Sequence, residues 1–303
     1  MDGTERVHDD YTVAWICPLE VEQIAATAML DEQHPRLSQS ANDHNAYALG
    51  SIYGHNVVID GLPLAGNASA ATVVAKMRNT FQQLRFVQYD HGKAEAGSFR
   101  RTGFLAPPPT VLLNAAQRLS VICALASADP VVSHLRRLDT SKRQLRRYKH
   151  PGANKDHLYQ PDYVHLDRDL SCQKCGCDTS KIVVRKADGS DAESDVEEDP
   201  GDAGEYVVVH RGTIAAGGKV MRNGIERDQL AKENGLLCFE MEAAGALNDF
   251  PCLVIRGISD YSDSHKNDNW HGYAAAVAAA YGRELFMHMP VDEVKQCKIA
   301  ESG

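Results

Sequence analysis

Cys238-Phe-Glu-Met-Glu-Ala-Ala-Gly245, followed by Val254-Ile-Arg-Gly-Ile-Ser-Asp-Tyr261, decides the reading of this chain. Glu240 and Glu242 stand one residue apart, where the apolar run from Gly235 to Phe239 turns into an alanine-rich helix. A third acid, Asp260, lies just past a second apolar run, Pro251 to Gly257. In an α/β protein, side chains at the carboxyl ends of strands converge on one crevice. The three acids are therefore expected to share a site, and acids clustered in a cleft do proton or cation chemistry.

Outward from this stretch, strand-type and helix-type patterns alternate. Tyr11 to Cys17 is a β-branched and aromatic run, and Pro18 opens a helix predicted over Leu19 to Leu30. Ala46 to Ile52 and Asn56 to Leu62 flank a hairpin turn at Tyr53-Gly-His55. Ala70, Val73, Val74, Met77 and Phe81 recur at helical spacing, and Val111 to Leu125 predicts another amphipathic helix. Tyr206 to His210 and Thr213 to Ala216 read as strands, and Ile225 to Glu233 as a helix. A last helix, Trp270 to His288, is expected to bury Tyr273, Val277, Ala280, Tyr281 and Leu285. The alternation implies an α/β sandwich with a largely covered sheet.

The 303 residues carry 32 basic and 41 acidic side chains, a formal charge of −9. That balance argues against a nucleic-acid backbone binder, which needs a basic face. No apolar run reaches the roughly eighteen residues of a membrane span. The opening Met-Asp-Gly-Thr-Glu-Arg lacks the apolar core of a signal peptide, so a cytoplasmic or otherwise intracellular location is expected.

The middle of the chain differs. Residues 130–205 read as an elaborated insertion within a single domain of residues 10–290, with 291–303 as a tail. Arg136 to Lys149 is a basic, helix-like patch, and the acidic stretch within 186–205 has a disordered composition. Between them stand Cys172, Cys175 and Cys177, with His165 upstream. Thiolates two residues apart plus a histidine can complete a zinc tetrahedron. The usual second C-x-x-C pair is missing, however, and reduced thiols in a surface loop with no metal is the preferred reading. Cys17, Cys123, Cys238 and Cys252 sit in apolar runs as small hydrophobes.

In order, Ile16-Cys-Pro-Leu-Glu-Val-Glu22, Ile214-Ala-Ala-Gly-Gly-Lys-Val-Met221, Phe239-Glu-Met-Glu-Ala-Ala244 and Arg256-Gly-Ile-Ser-Asp-Tyr261 resemble the nucleoside phosphorylase and nucleosidase superfamily. The likeness runs from about Tyr11 to Phe286 and is to the fungal type often joined to NACHT and ankyrin modules. It implies a three-layer sandwich with a central mixed sheet flanked by helices, and cleavage of the N-glycosidic bond of a purine-type nucleoside. It also implies a homo-oligomer that binds a small-molecule nucleoside and needs no cofactor. Asp260 matches the acid facing the leaving purine, a task that calls for a raised pKa through burial near other carboxylates. Glu242 matches the acid that grips the ribose hydroxyls, with Met241 packed on the sugar and Glu240 facing the site or supporting its walls. Glu22 matches the residue that activates water in hydrolytic members. Val220, Met221 and Phe239 match the lining of the base pocket.

Each residue has a plainer reading. Asp260 suits a turn or helix cap, Glu242 a first-turn acid, Glu22 a solvent-facing helix position and Met241 a core position.

One strand–loop–strand part of the family pattern is missing. Leu84-Arg-Phe86 runs directly into Val87-Gln-Tyr-Asp90, without the glycine-rich loop whose backbone N–H groups cradle an anion. No phosphate-binding residues are assigned. The loss favours hydrolysis over the alternative, phosphorolysis, and leaves open a weakly active or inactive nucleoside-binding sensor. It also predicts unpaired edges inside the sheet.

Overall fold

The computed structural model describes residues 6–88, 94–95, 98–99, 108–185, 207–243, 245 and 251–297. Six strands form the main sheet: β1 (Val13–Cys17), β2 (Glu32–Gln33), β3 (Ala48–Ile52), β4 (His55–Gly61), β5 (Phe86–Gln88) and, later in the chain, Cys252–Leu253. Two short strands, β6 (Ala94–Glu95) and β7 (Ser98–Phe99), pair with each other, as do β8 (Thr213–Ala216) and β9 (Leu236–Glu240), which makes Cys252–Leu253 β10. The sheet order is β10-β5-β1-β4-β3-β2, parallel from β10 to β4 and antiparallel beyond.

Alternation along β1 builds the layers. Val13, Trp15 and Cys17 face one side, packed on α1 (Glu20–Ala28), α3 (Thr110–Leu125) and the long helix His271–Met287. Ala14 and Ile16 face the other, where Val73, Val74 and Met77 of α2 (Asn67–Thr80) cover them. A strand buried on both faces reads as a continuous apolar run, which is how Tyr11 to Cys17 reads. The hairpin joining β3 to β4 turns through Tyr53 and Gly54, at φ 47° and 83°, the left-handed pair that suits strand twist.

The remaining α-helices with described bounds are α4 (Pro130–Leu135), α5 (Cys172–Cys175), α6 (Gly224–Asn234), α7 (the His271–Met287 helix) and α8 (Val291–Gln296). No helix among the described residues is long and apolar enough to cross a membrane. Arg283 of α7 donates to the Met29 carbonyl and to Asp31 Oδ1, both at 2.6 Å, locking α7 to the end of α1.

Several expectations need correction. The first helix is shorter than Leu19 to Leu30, running Glu20–Ala28. The basic patch is no long helix: Asp129 caps α4 through the N–H groups of Val131 and Val132, and only Arg143–Tyr148 coils again, as a 3-10 turn. Residues 207–210 are not a strand, because the Val207 N–H is taken by Asp129 Oδ2 at 2.8 Å. Tyr273, Val277 and Tyr281 are only half-buried, since α7 packs through small residues such as Ala275, Ala276 and Ala279 and turns its bulky ones to a groove. The apolar run after Pro251 stays in the sheet only for β10, then follows α7. The interior sheet edge is closed as well, because β5 pairs with both β1 and β10. The acidic stretch within 186–205 lies outside the described residues.

Candidate active site

The parallel strands point their carboxyl ends the same way, and the chain leaving β1 and the chain leaving β10 meet there. Glu22 comes from the first turn of α1, where its Oε2 accepts the Leu19 N–H at 2.8 Å. It is half-buried and lines a small cavity of about 80 Å³ with Glu240, Arg256 and His271, so it is not a solvent-facing helix residue. Burial raises its carboxyl pKa, opposed by the Leu19 hydrogen bond and by Arg256.

Glu240 ends β9. Its Oε2 accepts the N–H groups of Glu242 (2.8 Å) and Ala243 (3.0 Å), capping the turn that follows. Its Oε1 is buried without a hydrogen-bond partner among the described residues. Burial pushes its pKa up to about 7, against the pull of those N–H groups and of Arg256. Glu242 is buried too, and the Met241 N–H reaches its Oε2 at 3.3 Å.

Arg256 is the group around which these acids are arranged. It interacts electrostatically with Glu240, Glu22 and Glu242, which raise its pKa although burial opposes its charge. Arg256 is exposed, because it stands between the small cavity and a groove of about 900 Å³ and borders both. The segment Val254–Gly257, with Ser259, forms the wall common to both spaces.

Asp260 opens on the larger groove, not on the carboxylate cluster. It holds a turn by accepting the Ser262 N–H at 2.9 Å and the Ser259 hydroxyl at 3.1 Å, and it forms an ion pair with Lys266. The expected raised pKa is therefore overturned: burial alone would raise it, but Lys266 and the Ser262 N–H bring it below its ordinary value. His271 connects the two halves, feeling the charges of both Asp260 and Arg256.

Glu242 and the other predicted contacts lie outside the lining of both cavities. Phe239 and Met241 are half-buried at the end of β9, while Val220 is 47% exposed, with half-buried Met221 beside it, between β8 and α6. Sequence reasoning missed Arg256, His271 and Lys266. Arg256 had a signal, since a lone cation inside an apolar run stands out and calls for counter-charges nearby. Lys266 had none. Away from this site, His165, Cys172 and Cys177 bring ligand atoms within 4.8 Å of one another.

A methylthioadenosine/S-adenosylhomocysteine nucleosidase from Neisseria meningitidis superposes with a TM-score of 0.51, over 91% of this chain and 98% of that one, at 14% identity. The chain has the nucleoside phosphorylase/nucleosidase fold. Within that fold, it is 36% identical over 96% of its length to a nucleotide-binding leucine-rich repeat (NLR)-like protein of Hyaloscypha variabilis (strain UAMH 11265 / GT02V1 / F), and spans 30% of it. It is 30% identical over 36% of its length to ATP nucleosidase Cap17 of Escherichia coli (strain KTE188), matching 24% of that protein. The chain thus spans less than a third of either curated relative. No family model matches it.

Proposed function

We propose that the protein cleaves the N-glycosidic bond of a purine-type nucleoside or nucleotide, with water as the nucleophile. The observation that carries this reading is the shared wall, Val254–Gly257 with Ser259, which has Glu22 and Glu240 on one side, Asp260 on the other and Arg256 facing both. A sugar lying across that wall has acids at its anomeric carbon and a charged pair at its base.

In the reaction, the bond from the anomeric carbon to the base nitrogen breaks and its electron pair leaves with the base. Water oxygen bonds to the carbon and gives up a proton. Glu22 takes that proton, a role suited to a carboxyl whose burial raises its pKa. Glu240, on the cavity wall, opposes the positive charge that develops on the sugar, while Glu242 and Met241 are assigned to the ribose on resemblance alone. The Asp260–Lys266 pair meets the base, Asp260 accepting a base N–H and Lys266 opposing its negative charge until solvent water protonates it. Glu22 returns the proton it took to solvent, so that one water is consumed overall. Phe239, Val220 and Met221 are assigned to the base side on resemblance alone.

A 5′-phosphorylated substrate is favoured by the groove itself. Lys155, Arg185, Arg211, Arg256 and Lys266 border it, against Asp156, Asp260 and Asp263, in a chain of net charge −9. The likeness to a protein named ATP nucleosidase supports the same substrate class.

The test is chromatographic detection of free base from adenosine, inosine, AMP and ATP, with and without inorganic phosphate. Base release without phosphate supports hydrolysis. An absolute phosphate requirement with ribose 1-phosphate as product replaces it with phosphorolysis. Binding of a nucleoside with no base release replaces it with a sensor.

A further inference from the structure

The segment 161–181 forms a closed loop with almost no apolar interior. Its base is an antiparallel pairing in which Gln160 N–H donates to the Lys181 carbonyl at 2.8 Å and Val183 N–H to the Leu158 carbonyl at 2.7 Å. Between these ends, Val164 is 62% and Leu166 88% exposed. A loop of this length cannot offset its ordering entropy by burial alone. It nevertheless folds its histidine inward, and His165 is buried.

The three cysteines are arranged around that histidine. Ser171 Oγ accepts the Lys174 N–H, starting the single turn α5. Gly176 ends it at φ 65°, a left-handed position that glycine adopts at little cost, and Cys177 N–H closes back on the Cys172 carbonyl at 3.0 Å. This turn sets the Cys172 and Cys177 sulfurs and a His165 ring nitrogen within 4.8 Å of one another. Cys175 Sγ lies 4.0 Å from His165 Nδ1.

We propose that His165, Cys172, Cys175 and Cys177 bind one zinc ion in a closed, structural Cys3His site. Zinc–sulfur bonds of about 2.3 Å in a tetrahedron separate two sulfurs by about 3.7 Å. For His165, Cys172 and Cys177, movement of about an ångström brings the present spacing to that value. Cys175 lies outside that trio and joins by turning its thiol from the Asp167 carbonyl, 3.5 Å away, to the metal. Three soft thiolates and an imidazole select zinc over magnesium or calcium, and four protein ligands leave no position for a reacting water. The absent second C-x-x-C pair is replaced here by Cys177 and His165.

The site also braces the candidate active site. His165 N–H donates to Ser264 Oγ at 2.9 Å, and its ring meets His265 edge-on at 5.2 Å. His265 stacks on Tyr159 at 4.0 Å, and the next residue is Lys266, the partner of Asp260.

The test is metal analysis of the full chain, purified under reducing conditions without chelator. About one zinc per chain is expected, with loss of at least about nine-tenths of it in Cys172→Ser and Cys177→Ser. Because those variants can misfold, the chain as it exists is also stripped of metal and titrated with cobalt(II) alone. Thiolate-to-cobalt charge-transfer bands with the intense visible bands of a tetrahedral centre are expected at one equivalent. Folded chain with under about a tenth of an equivalent of zinc, and no such bands on titration, overturns the proposal. Neither readout involves base release, so this proposal and the functional one fail separately.

Discussion

Lys266 holds the carboxylate of Asp260 in an ion pair at the edge of the large groove. The side chains are 24% and 11% exposed, so water screens the pair only in part. Replacing Lys266 by Met leaves burial as the dominant influence on Asp260, and the pKa of the carboxyl rises. The acidic limb of the pH–rate profile for base release is expected to move to higher pH. Stability should fall by roughly 1–3 kcal/mol at neutral pH, because a buried charge loses its partner. The sign follows from a lowered folded pKa. The stabilisation is present above the unfolded value and is lost as pH falls through the folded one, so wild type and variant should converge in acid. Denaturant titrations at several pH values measure this.

Glu240 titrates the other way. Its pKa rises from 4.5 to about 7 in the folded chain, so between those values the native state holds a proton that the unfolded state has released. Stability therefore declines as pH rises across that window, by about 3 kcal/mol in all. Glu240→Gln keeps an oxygen for the Glu242 and Ala243 N–H groups and removes the titration. Its unfolding free energy should lack that decline, which urea melts at pH 4.5, 5.5, 6.5 and 7.5 would measure. An unchanged slope would remove Glu240 as its source.

The layers were legible in sequence because burial on both faces leaves an unbroken apolar run, as in Tyr11 to Cys17, and helices on a sheet leave a period, as in Ala70, Val73, Val74 and Met77. Glu240 and Glu242 were singled out by their positions beside a strand end, and Glu22 only by the family resemblance. The division of the site was not legible. Whether Asp260 joins the other carboxylates depends on where the chain goes after Leu253, and that is set by backbone packing on α7, which no residue pattern announces. Lys266 reaches Asp260 from only six residues on, but through an irregular turn with no periodic signal. Residues 207–210 misled because Val207-Val-Val-His210 has strand composition, while Asp129 takes the Val207 N–H.

Gly257 fixes that route. A Cβ there would lie 2.1 Å from the Ala274 carbonyl oxygen, a backbone atom of α7 that cannot swing aside. Gly257→Ala should cost about 3 kcal/mol and push Arg256 and Asp260 apart from their partners. Thermal melting measures the first effect. A nucleoside titration measures the second, as a loss of binding in the fraction that remains folded.

Glu22 has two duties that two substitutions separate. As the acceptor of the Leu19 N–H it stabilises the start of α1, and as a buried carboxyl on the cavity it is the candidate base toward water. Glu22→Gln keeps an acceptor oxygen but cannot take a proton, so stability should hold while base release falls by about 10²–10⁴-fold. Glu22→Ala removes both, and should lose about 1 kcal/mol besides. If Glu22→Gln turns over substrate at the wild-type rate while Glu22→Ala is merely less stable, Glu22 is a helix cap and the water must be activated by another group. The adjacent candidate is then Glu240, whose pKa of about 7 also suits proton transfer near neutrality.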